Sequence, residues 1–179
     1  IKERELSNAE KQAQNDRESL FVVNEFAKDY FINILNNHID GKSIGMSYLR
    51  NRGMRDDIIK KFQIGYSTLT HDAIAKEAIS KGYKKEFLIK TGICYEKEDG
   101  SIRDRFWGRI IFPVHTVTGK VVAFGGRVLN SDAKTAKYVN SPESEIYHKS
   151  NELYGIYFAK QSIIKQNKCF LVEGYMDVI

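Results

Sequence analysis

The stretch GRIIFPVHTVTGKVVAFGGRVL, residues 108–129, decides the fold of the middle of this 179-residue chain. Residues 108–115 and 120–129 are apolar and rich in β-branched side chains, and Thr118-Gly119 between them is typical of a turn. Two runs of this kind joined by a few turn residues predict antiparallel neighbouring strands. We therefore expect a small antiparallel sheet at this point.

Further short strands are predicted around this pair. Residues 93–96 and 102–106 flank Glu98-Asp99-Gly100, whose Asp-Gly pair is a strong hairpin signal. Residues 63–67 form a short extended segment, and Tyr138-Val139 predicts a short strand downstream. The middle of the chain is thus expected to be rich in β-structure.

The residues before the sheet are predicted to be helical. An apolar stripe with three- and four-residue spacing indicates one helix within the first 40 residues. The members of this stripe are Leu20, Val23, Ala27, Tyr30, Phe31 and Ile34. Gly41 is expected to end this helix. Four shorter helices are expected at residues 43–52, 56–62, 72–81 and 84–91, with Asp72 as an N-terminal cap.

After the sheet, the pattern alternates between helix and strand. Residues 153–164 predict a helix, residues 169–172 predict a buried strand, and residues 175–179 begin another helix. This order is typical of α/β structure. Glu173 directly follows the predicted strand, at the edge where open α/β sheets bind ligands.

Glu173 and Asp177 form a candidate metal site. Asp177 is four residues further on, in the first turn of the predicted helix. Carboxylates are hard oxygen ligands suited to Mg²⁺, which usually takes one or two of them together with phosphate oxygens. The alternative is that Asp177 only complements the positive end of the helix dipole.

Composition excludes several classes of protein. With 42% hydrophobic and 28% charged residues, 13 Gly and 2 Pro, the sequence is globular rather than collagenous. No run approaches the roughly 18 apolar residues of a membrane-spanning helix, so no membrane partner is expected. Cys94 and Cys169 are interpreted as core residues in a reducing cytoplasm, and the histidines lack zinc-ligand spacing. The start, without Met or a signal peptide, predicts a piece of a longer protein.

Positive charge is concentrated in one part of the chain. The formal net charge is +5, and residues 101–150 carry eight Lys and Arg against four Asp and Glu. Arg103, Arg105 and Arg109 share parity, so on one regular strand they would point to the same face. Such a surface, with aromatic side chains nearby, suits single-stranded nucleic acid. The alternatives are a solvated basic surface and arginines paired with neighbouring acids.

Several motifs occur in an order that resembles the bacterial, DnaG-type DNA primases. They are Arg105-Phe106-x-Gly108-Arg109-Ile110-x-Phe112-Pro113-Val114, Val121-x-Ala123-Phe124-Gly125-Gly126-Arg127-Val128-Leu129, Lys137-Tyr138-Val139-Asn140-Ser141-Pro142-Glu143, Tyr147-His148-Lys149 and Leu153-Tyr154-Gly155. Upstream, Tyr48-Leu49-x-x-Arg52-Gly53 and Phe62-x-Ile64-Gly65-Tyr66 fit the same region. The closing Leu171-Val172-Glu173-Gly174-Tyr175-Met176-Asp177-Val178 resembles the start of that family's Toprim domain.

With this resemblance, the predicted fold class is α+β. A helical subdomain and a small, mostly antiparallel sheet are followed by the truncated first βα piece of an α/β Toprim domain. The expected divisions are residues 1–92, the helical N-terminal part of the catalytic core, and residues 93–150, its basic, nucleic-acid-binding part. Residues 151–179 are expected to hold the helix and the first strand of the Toprim domain.

The resemblance implies an enzyme that makes short RNA primers from nucleoside triphosphates on a single-stranded DNA template during replication. It implies phosphate or nucleotide contacts from several cations and polar contacts from two further residues. The cations are Arg105, Arg109, Arg127, Lys137 and Lys149, and the polar residues are Asn140 and Ser141. Glu173 is implied as the first acidic residue of a Mg²⁺ or Mn²⁺ site, with Asp177 as a supporting carboxylate.

The same resemblance implies parts outside this sequence. These are an upstream zinc-binding domain, later acidic residues of the metal site, and the regions that contact a replicative helicase. The chain by itself is therefore expected to bind nucleic acid without being an active polymerase. The alternatives are a non-catalytic single-stranded nucleic-acid-binding module, or another Toprim enzyme such as a topoisomerase or nuclease.

Overall fold

The structure is a computed structural model that describes residues 7–129 and 135–179. Its α-helices within these residues are α1 (Asn8–Asn37), α2 (Ser47–Asn51), α3 (Asp56–Lys61), α4 (Ala73–Ser80), α5 (Lys85–Lys90), α6 (Ile156–Gln166) and α7 (Tyr175–Val178). A π-helical turn at Gly41–Met46 joins α1 to α2, and a 3₁₀ turn occupies Lys149–Asn151. The strands are β1 (Gly65–Ser67), β2 (Cys94–Glu96), β3 (Ile102–Asp104), β4 (Arg109–His115), β5 (Val121–Val128) and β6 (Tyr138–Asn140).

The strands form two antiparallel sheets. The larger has the order β1-β4-β5-β6, and β2 with β3 forms a separate hairpin. Both the predicted pairing of the two long strands and the predicted hairpin are confirmed. Pro113, which lacks an N–H donor, is tolerated in β4 because β1 pairs only with residues 109–111.

Helix α1 covers one face of the larger sheet. It begins with a capping box, in which Ser7 Oγ accepts from Glu10 N and Glu10 Oε2 accepts from Ser7 N. Most of the predicted apolar stripe is buried, and Phe31 packs edge-on against Phe124 at 5.6 Å between ring centroids. The helix ends at Asn37, earlier than predicted. Gly41 serves close packing instead, since a Cβ there would overlap the carbonyl of Ile34.

The other face of the sheet carries a second apolar cluster. Ile110 and Phe112 of β4 pack there with Ile64 and Tyr66. Helix α6 joins this side through Phe158, whose ring centroid lies 4.9 Å from that of Phe62. The C-terminal segment packs on the same side, because Tyr175 and Met176 also contact this cluster.

The cap of α4 differs from the predicted one. Asp72 occupies the N-cap position but makes no side-chain capping bond. Its carboxylate lies 3.0 Å from Lys76 Nζ instead. The buried Asp104 of β3 supplies the cap, because its two carboxylate oxygens accept from Ile74 N at 3.0 Å and Ala75 N at 3.2 Å.

The predicted buried strand at residues 169–172 is not formed. Phe170 and Leu171 are 80% and 78% exposed, and Cys169, expected in the core, is also exposed, whereas Cys94 is buried. A strand needs a hydrogen-bonded neighbour, and none of the segments that the structure describes pairs with these residues. No helix in the described part of the chain is long and apolar enough to cross a membrane.

Candidate functional site

One face of the larger sheet brings together polar side chains from two strands. In the register, Arg127 of β5 is paired with Ile110 on one side and with Tyr138 of β6 on the other. Gly125 is likewise paired with Asn140. Because paired residues in antiparallel strands project from the same face, Arg127, Tyr138 and Asn140 share the face that carries the second apolar cluster.

Arg127 is held by two tyrosine hydroxyls. Its Nε donates to Tyr48 Oη and its Nη1 donates to Tyr138 Oη, each at 2.6 Å. The guanidinium carbon also lies 5.2 Å from the centroid of the Tyr138 ring. The residue is only 7% exposed, so the orientation of its guanidinium is fixed by the protein before any ligand arrives. Sequence reasoning missed both tyrosines, although Tyr48 and Tyr138 stand in motifs that it quoted.

Arg109 lies on the opposite face of the sheet from Arg127. It is paired with Val128, one position away from the pair that contains Arg127, and side chains alternate between faces along a strand. Its Nη1 donates to Gly126 O at 3.2 Å and to Ala136 O at 3.0 Å. These hydrogen bonds tie β4 to the segment that precedes β6. Burial lowers the pKa of the Arg109 guanidinium. Arg109 is therefore a predicted cation that does not share a face of the sheet with Arg127.

The three arginines of matching parity do not share one strand. Arg103 belongs to β3 and Arg109 to β4, and the chain turns between these strands in different sheets. Arg105 lies in that turn, where its Nε donates to Gly92 O at 2.7 Å. Burial also lowers the pKa of Arg105. The prediction of one basic strand face is therefore wrong, because parity carries meaning only within a continuous strand.

The aromatic residues next to these arginines divide between core and surface. Phe106 is buried, as expected for at least one of the pair. Trp107 is 38% exposed, and its ring centroid lies 4.4 Å from that of His71. The two rings are tilted by 55° to each other, so they do not form one flat stacking surface.

Lys137, Asn140 and Ser141 have three different environments. Lys137 is exposed. Ser141 is buried, and its hydroxyl accepts from Phe124 N at 3.0 Å, which holds the chain against β5 after β6 ends. Asn140 is half-buried, and its Oδ1 accepts from the hydroxyl of Tyr175 at 3.0 Å.

A cavity of about 670 Å³ is lined by four of the site residues predicted from the sequence. Its lining includes Asn140 of β6, Lys149 of the 3₁₀ turn, and both Glu173 and Asp177 of the C-terminal segment. Lys149 is placed by its backbone, since its N–H donates to a carboxylate oxygen of Glu143 at 2.9 Å. Four residues chosen from the sequence therefore meet at one opening.

The two carboxylates of this cavity are in different situations. Both residues are exposed. Asp177 Oδ2 accepts from Gly174 N at 3.1 Å at the start of α7, so one of its oxygens is used locally. This hydrogen bond supports the alternative interpretation, in which Asp177 stabilises the start of the helix, for one of its two carboxylate oxygens. In the described ranges 7–129 and 135–179, no three His, Cys, Asp or Glu residues form a group that could hold a metal ion.

Tyr175, which lies between these two acids, was missed as a site residue. Its ring stacks on Phe112 with 5.2 Å between centroids and an angle of 9° between planes. Beneath it lies Gly125, where a Cβ would come within 2.5 Å of Tyr175 Cζ. The Gly125-Gly126 pair admits two side chains, Tyr175 on one face of the sheet and Phe106 on the other.

The arrangement has the chemistry of a site for a polyanion. A lysine, an amide and two carboxylates line one cavity, and an arginine held by two tyrosines lies on the neighbouring strand. Cations and amide donors bind phosphate oxygens, while carboxylates require a cation between themselves and such a ligand.

Known proteins with similar sequences support this picture. The profile of the family described as DNA primase catalytic core, N-terminal domain, matches residues 30–160. The DNA primase of Halalkalibacterium halodurans is 41% identical over 165 residues, which are 92% of this chain and 27% of that protein. The DNA primase of Salmonella typhimurium is 37% identical over 166 residues, or 93% of this chain and 28% of that protein. The chain therefore spans little more than a quarter of the length of these relatives.

Solved structures agree at the level of the fold. The structure described as the DnaG primase catalytic domain bound to ssDNA aligns with a TM-score of 0.83 and 34% identity, covering 92% of this chain and 52% of that one. The Escherichia coli primase catalytic core aligns with a TM-score of 0.80 and 35% identity, covering 89% and 50%. The RNA polymerase domain of Mycobacterium tuberculosis DnaG in complex with double-stranded DNA aligns with a TM-score of 0.81 and 34% identity, covering 89% and 50%.

Proposed function

Because the chain belongs to the DnaG-type DNA primases, as part of their catalytic core, we propose that it binds the single-stranded DNA template for primer synthesis. The whole protein joins nucleoside triphosphates into short RNA primers in the bacterial cytoplasm and works with a replicative helicase. This chain contributes the template surface and the first carboxylates of the reaction site.

The observation that carries this proposal is the cavity where Asn140 and Lys149 meet Glu173 and Asp177. Lys149 and the exposed Lys137 bind phosphates of the template, the primer or an incoming nucleotide. Arg127 presents a guanidinium that its two tyrosine partners orient. Arg105 and Arg109 act indirectly, by holding the loops that flank this surface.

Glu173 and Asp177 fit one part of a Mg²⁺ or Mn²⁺ site. Such ions are bound by one or two carboxylates together with phosphate oxygens and water, and these two residues line the same cavity. The bound ion neutralises phosphate charge and lowers the pKa of an attacking hydroxyl. Zinc belongs to a separate domain of the whole protein, as in the Aquifex aeolicus primase structure described as having zinc-binding and RNA polymerase domains.

The ssDNA-bound relative favours this proposal over another Toprim enzyme. The other alternative, a binding module without catalytic activity, is tested by a substitution in the whole protein. There, Glu173→Gln should abolish primer synthesis and leave template binding intact. Unchanged synthesis would remove the metal role of Glu173.

A titration of the 179-residue chain tests the binding itself. Fluorescence anisotropy with a labelled single strand and with its duplex, each at two salt concentrations, should show tighter binding to the single strand. Its log affinity should fall with log salt by about 0.7 for each phosphate contacted. Binding that is absent or insensitive to salt contradicts the proposed function.

A further inference from the structure

Tyr175 connects the acidic segment to the nucleic-acid face of the sheet. Tyr175 lies between Glu173 and Asp177 in the sequence, and all three residues line the cavity. The ring of Tyr175 also packs against the second apolar cluster. The ring lies flat on Phe112 and meets Tyr154 edge-on at 4.7 Å between centroids. The space that it fills exists because position 125 is glycine. Tyr175 therefore holds the acidic segment on the sheet together with Met176, Val178 and Ile179, which pack against the same cluster.

The hydroxyl of Tyr175 donates a hydrogen bond to Oδ1 of Asn140 at 3.0 Å. An asparagine amide has one acceptor oxygen and one NH₂ donor group at opposite sides of the same planar unit. When a hydroxyl donates to the oxygen, the orientation of the amide is fixed and the NH₂ group points away from the tyrosine. Asn140 lines the cavity, so its donors are available to acceptor oxygens of a ligand there.

We propose that Tyr175 is a positioning residue that fixes the Asn140 amide with its donors toward the cavity and holds Glu173 and Asp177 beside it. The ligand group recognised by Asn140 is an acceptor oxygen of a nucleic acid or nucleotide, such as a phosphate oxygen. This inference rests on the proposed function, because it takes the cavity to be the place where nucleic acid binds. Tyr175 itself need not touch the ligand.

The geometry is tested without any ligand. In ¹⁵N-correlated NMR spectra of the full 179-residue chain, Tyr175→Phe should shift the side-chain NH₂ signals of Asn140, because the hydrogen bond to Oδ1 is lost. The matched control is Tyr157→Phe, which removes a tyrosine hydroxyl in α6 whose ring stacks on His115, outside the cavity lining. That control should leave the Asn140 signals in place. Unshifted signals in Tyr175→Phe overturn the inference.

Binding is tested with a labelled single-stranded DNA oligonucleotide. Tyr175→Phe should raise Kd about threefold to tenfold, the effect of one hydrogen bond, with an unchanged salt slope since no cation is lost. Asn140→Ala should weaken binding further. The double variant should bind like Asn140→Ala alone, because the hydroxyl acts only through Asn140. Additive losses overturn the inference.

Asn140→Asp distinguishes the role of the acceptor oxygen of the amide from that of its NH₂ donors. It retains an oxygen that accepts from Tyr175 and replaces the donors by a negative oxygen, so the free chain should stay folded while Kd rises more than about tenfold. Wild-type affinity in this variant overturns the role of the donors. If the wild-type chain does not bind the oligonucleotide, the proposed function fails, and the ligand-free NMR comparison still decides the Tyr175–Asn140 geometry.

Discussion

Arg127 Nε donates a hydrogen bond to Tyr48 Oη at 2.6 Å, across 79 positions of the sequence. The contact joins the helical part of the chain to the middle of the sheet. It also fixes one edge of a guanidinium that Tyr138 holds at another nitrogen. An arginine oriented in this way loses little side-chain entropy on binding an anion, which is why its two partners matter as much as its charge.

We expect Arg127→Ala to reduce both stability and template binding. Loss of two hydrogen bonds with a charged donor should lower the free energy of unfolding by about 1–3 kcal/mol, measured by urea denaturation. Anisotropy should show weaker binding of single-stranded DNA. Tyr48→Phe, which keeps the guanidinium and removes one hydrogen bond, should cost less in both measurements. Equal stability of Arg127→Ala and wild type contradicts the structural part of this prediction.

Lys137→Ala should weaken template binding and leave stability unchanged. The side chain is exposed, so its removal should change the free energy of unfolding by no more than about 0.5 kcal/mol. If Lys137 contacts a phosphate, the slope of log affinity against log salt should fall in magnitude by about 0.7. Lys97→Ala, another exposed lysine in the turn between β2 and β3, serves as the control. A slope identical to that of wild type removes the phosphate contact.

Asp104→Ala should destabilise the chain by about 1–3 kcal/mol, because two backbone N–H groups at the start of α4 lose their buried acceptor. Asp104→Asn keeps one acceptor oxygen and should cost less. Asp72→Ala is the control, since its carboxylate makes no capping bond and lies 3.0 Å from Nζ of the exposed Lys76, so its loss should cost less than about 1 kcal/mol. Urea denaturation at pH 7 measures all three. A larger loss in Asp72→Ala would reverse the assignment of the cap.

His115 should make stability depend on pH below neutrality. Burial, with a smaller contribution from Lys28, lowers the pKa of His115 to about 4, and its Nε2 lies 2.7 Å from Gln63 Oε1. In the unfolded chain His115 takes up a proton near pH 6.5, whereas in the folded chain it does so near pH 4. The free energy of unfolding is therefore highest above pH 6.5 and decreases as pH falls toward 4. The loss should reach about 3 kcal/mol.

Urea denaturation between pH 7 and pH 4 checks this prediction. His115→Gln should flatten the pH dependence of the free energy of unfolding. The comparison variant is His148→Gln, which removes an exposed histidine beside Glu143. The same pH dependence in His115→Gln and wild type would show that other groups cause it.

Local patterns in the sequence predicted most of the secondary structure. The long strands and the hairpin at Asp99-Gly100 are formed by residues within a few positions of one another, so their spacing was enough. The strand at residues 169–172 was predicted from its apolar run alone. That run is exposed, because a strand depends on a partner that local pattern cannot supply.

The candidate site was predicted in part. Asn140, Lys149, Glu173 and Asp177 were chosen from motifs, and they meet at one cavity. The structure separates two arginines from this group, because the guanidinium groups of Arg105 and Arg109 donate to backbone carbonyls and neither residue lines that cavity. Their contact with nucleic acid stays a prediction. Motifs identify which residues matter but not which face of a sheet they occupy once a turn intervenes.

The sequence by itself determined most of the element types, the turn between the two long strands, the hairpin turn and the family, because each depends on residue identity and spacing along the chain. Only the tertiary structure decided which polar groups become partners. Asp104 caps a helix 30 residues away, and Tyr175 binds an asparagine 35 residues away. Such pairs depend on how the chain packs, since burial requires each donor and acceptor to find whatever partner the fold brings near it.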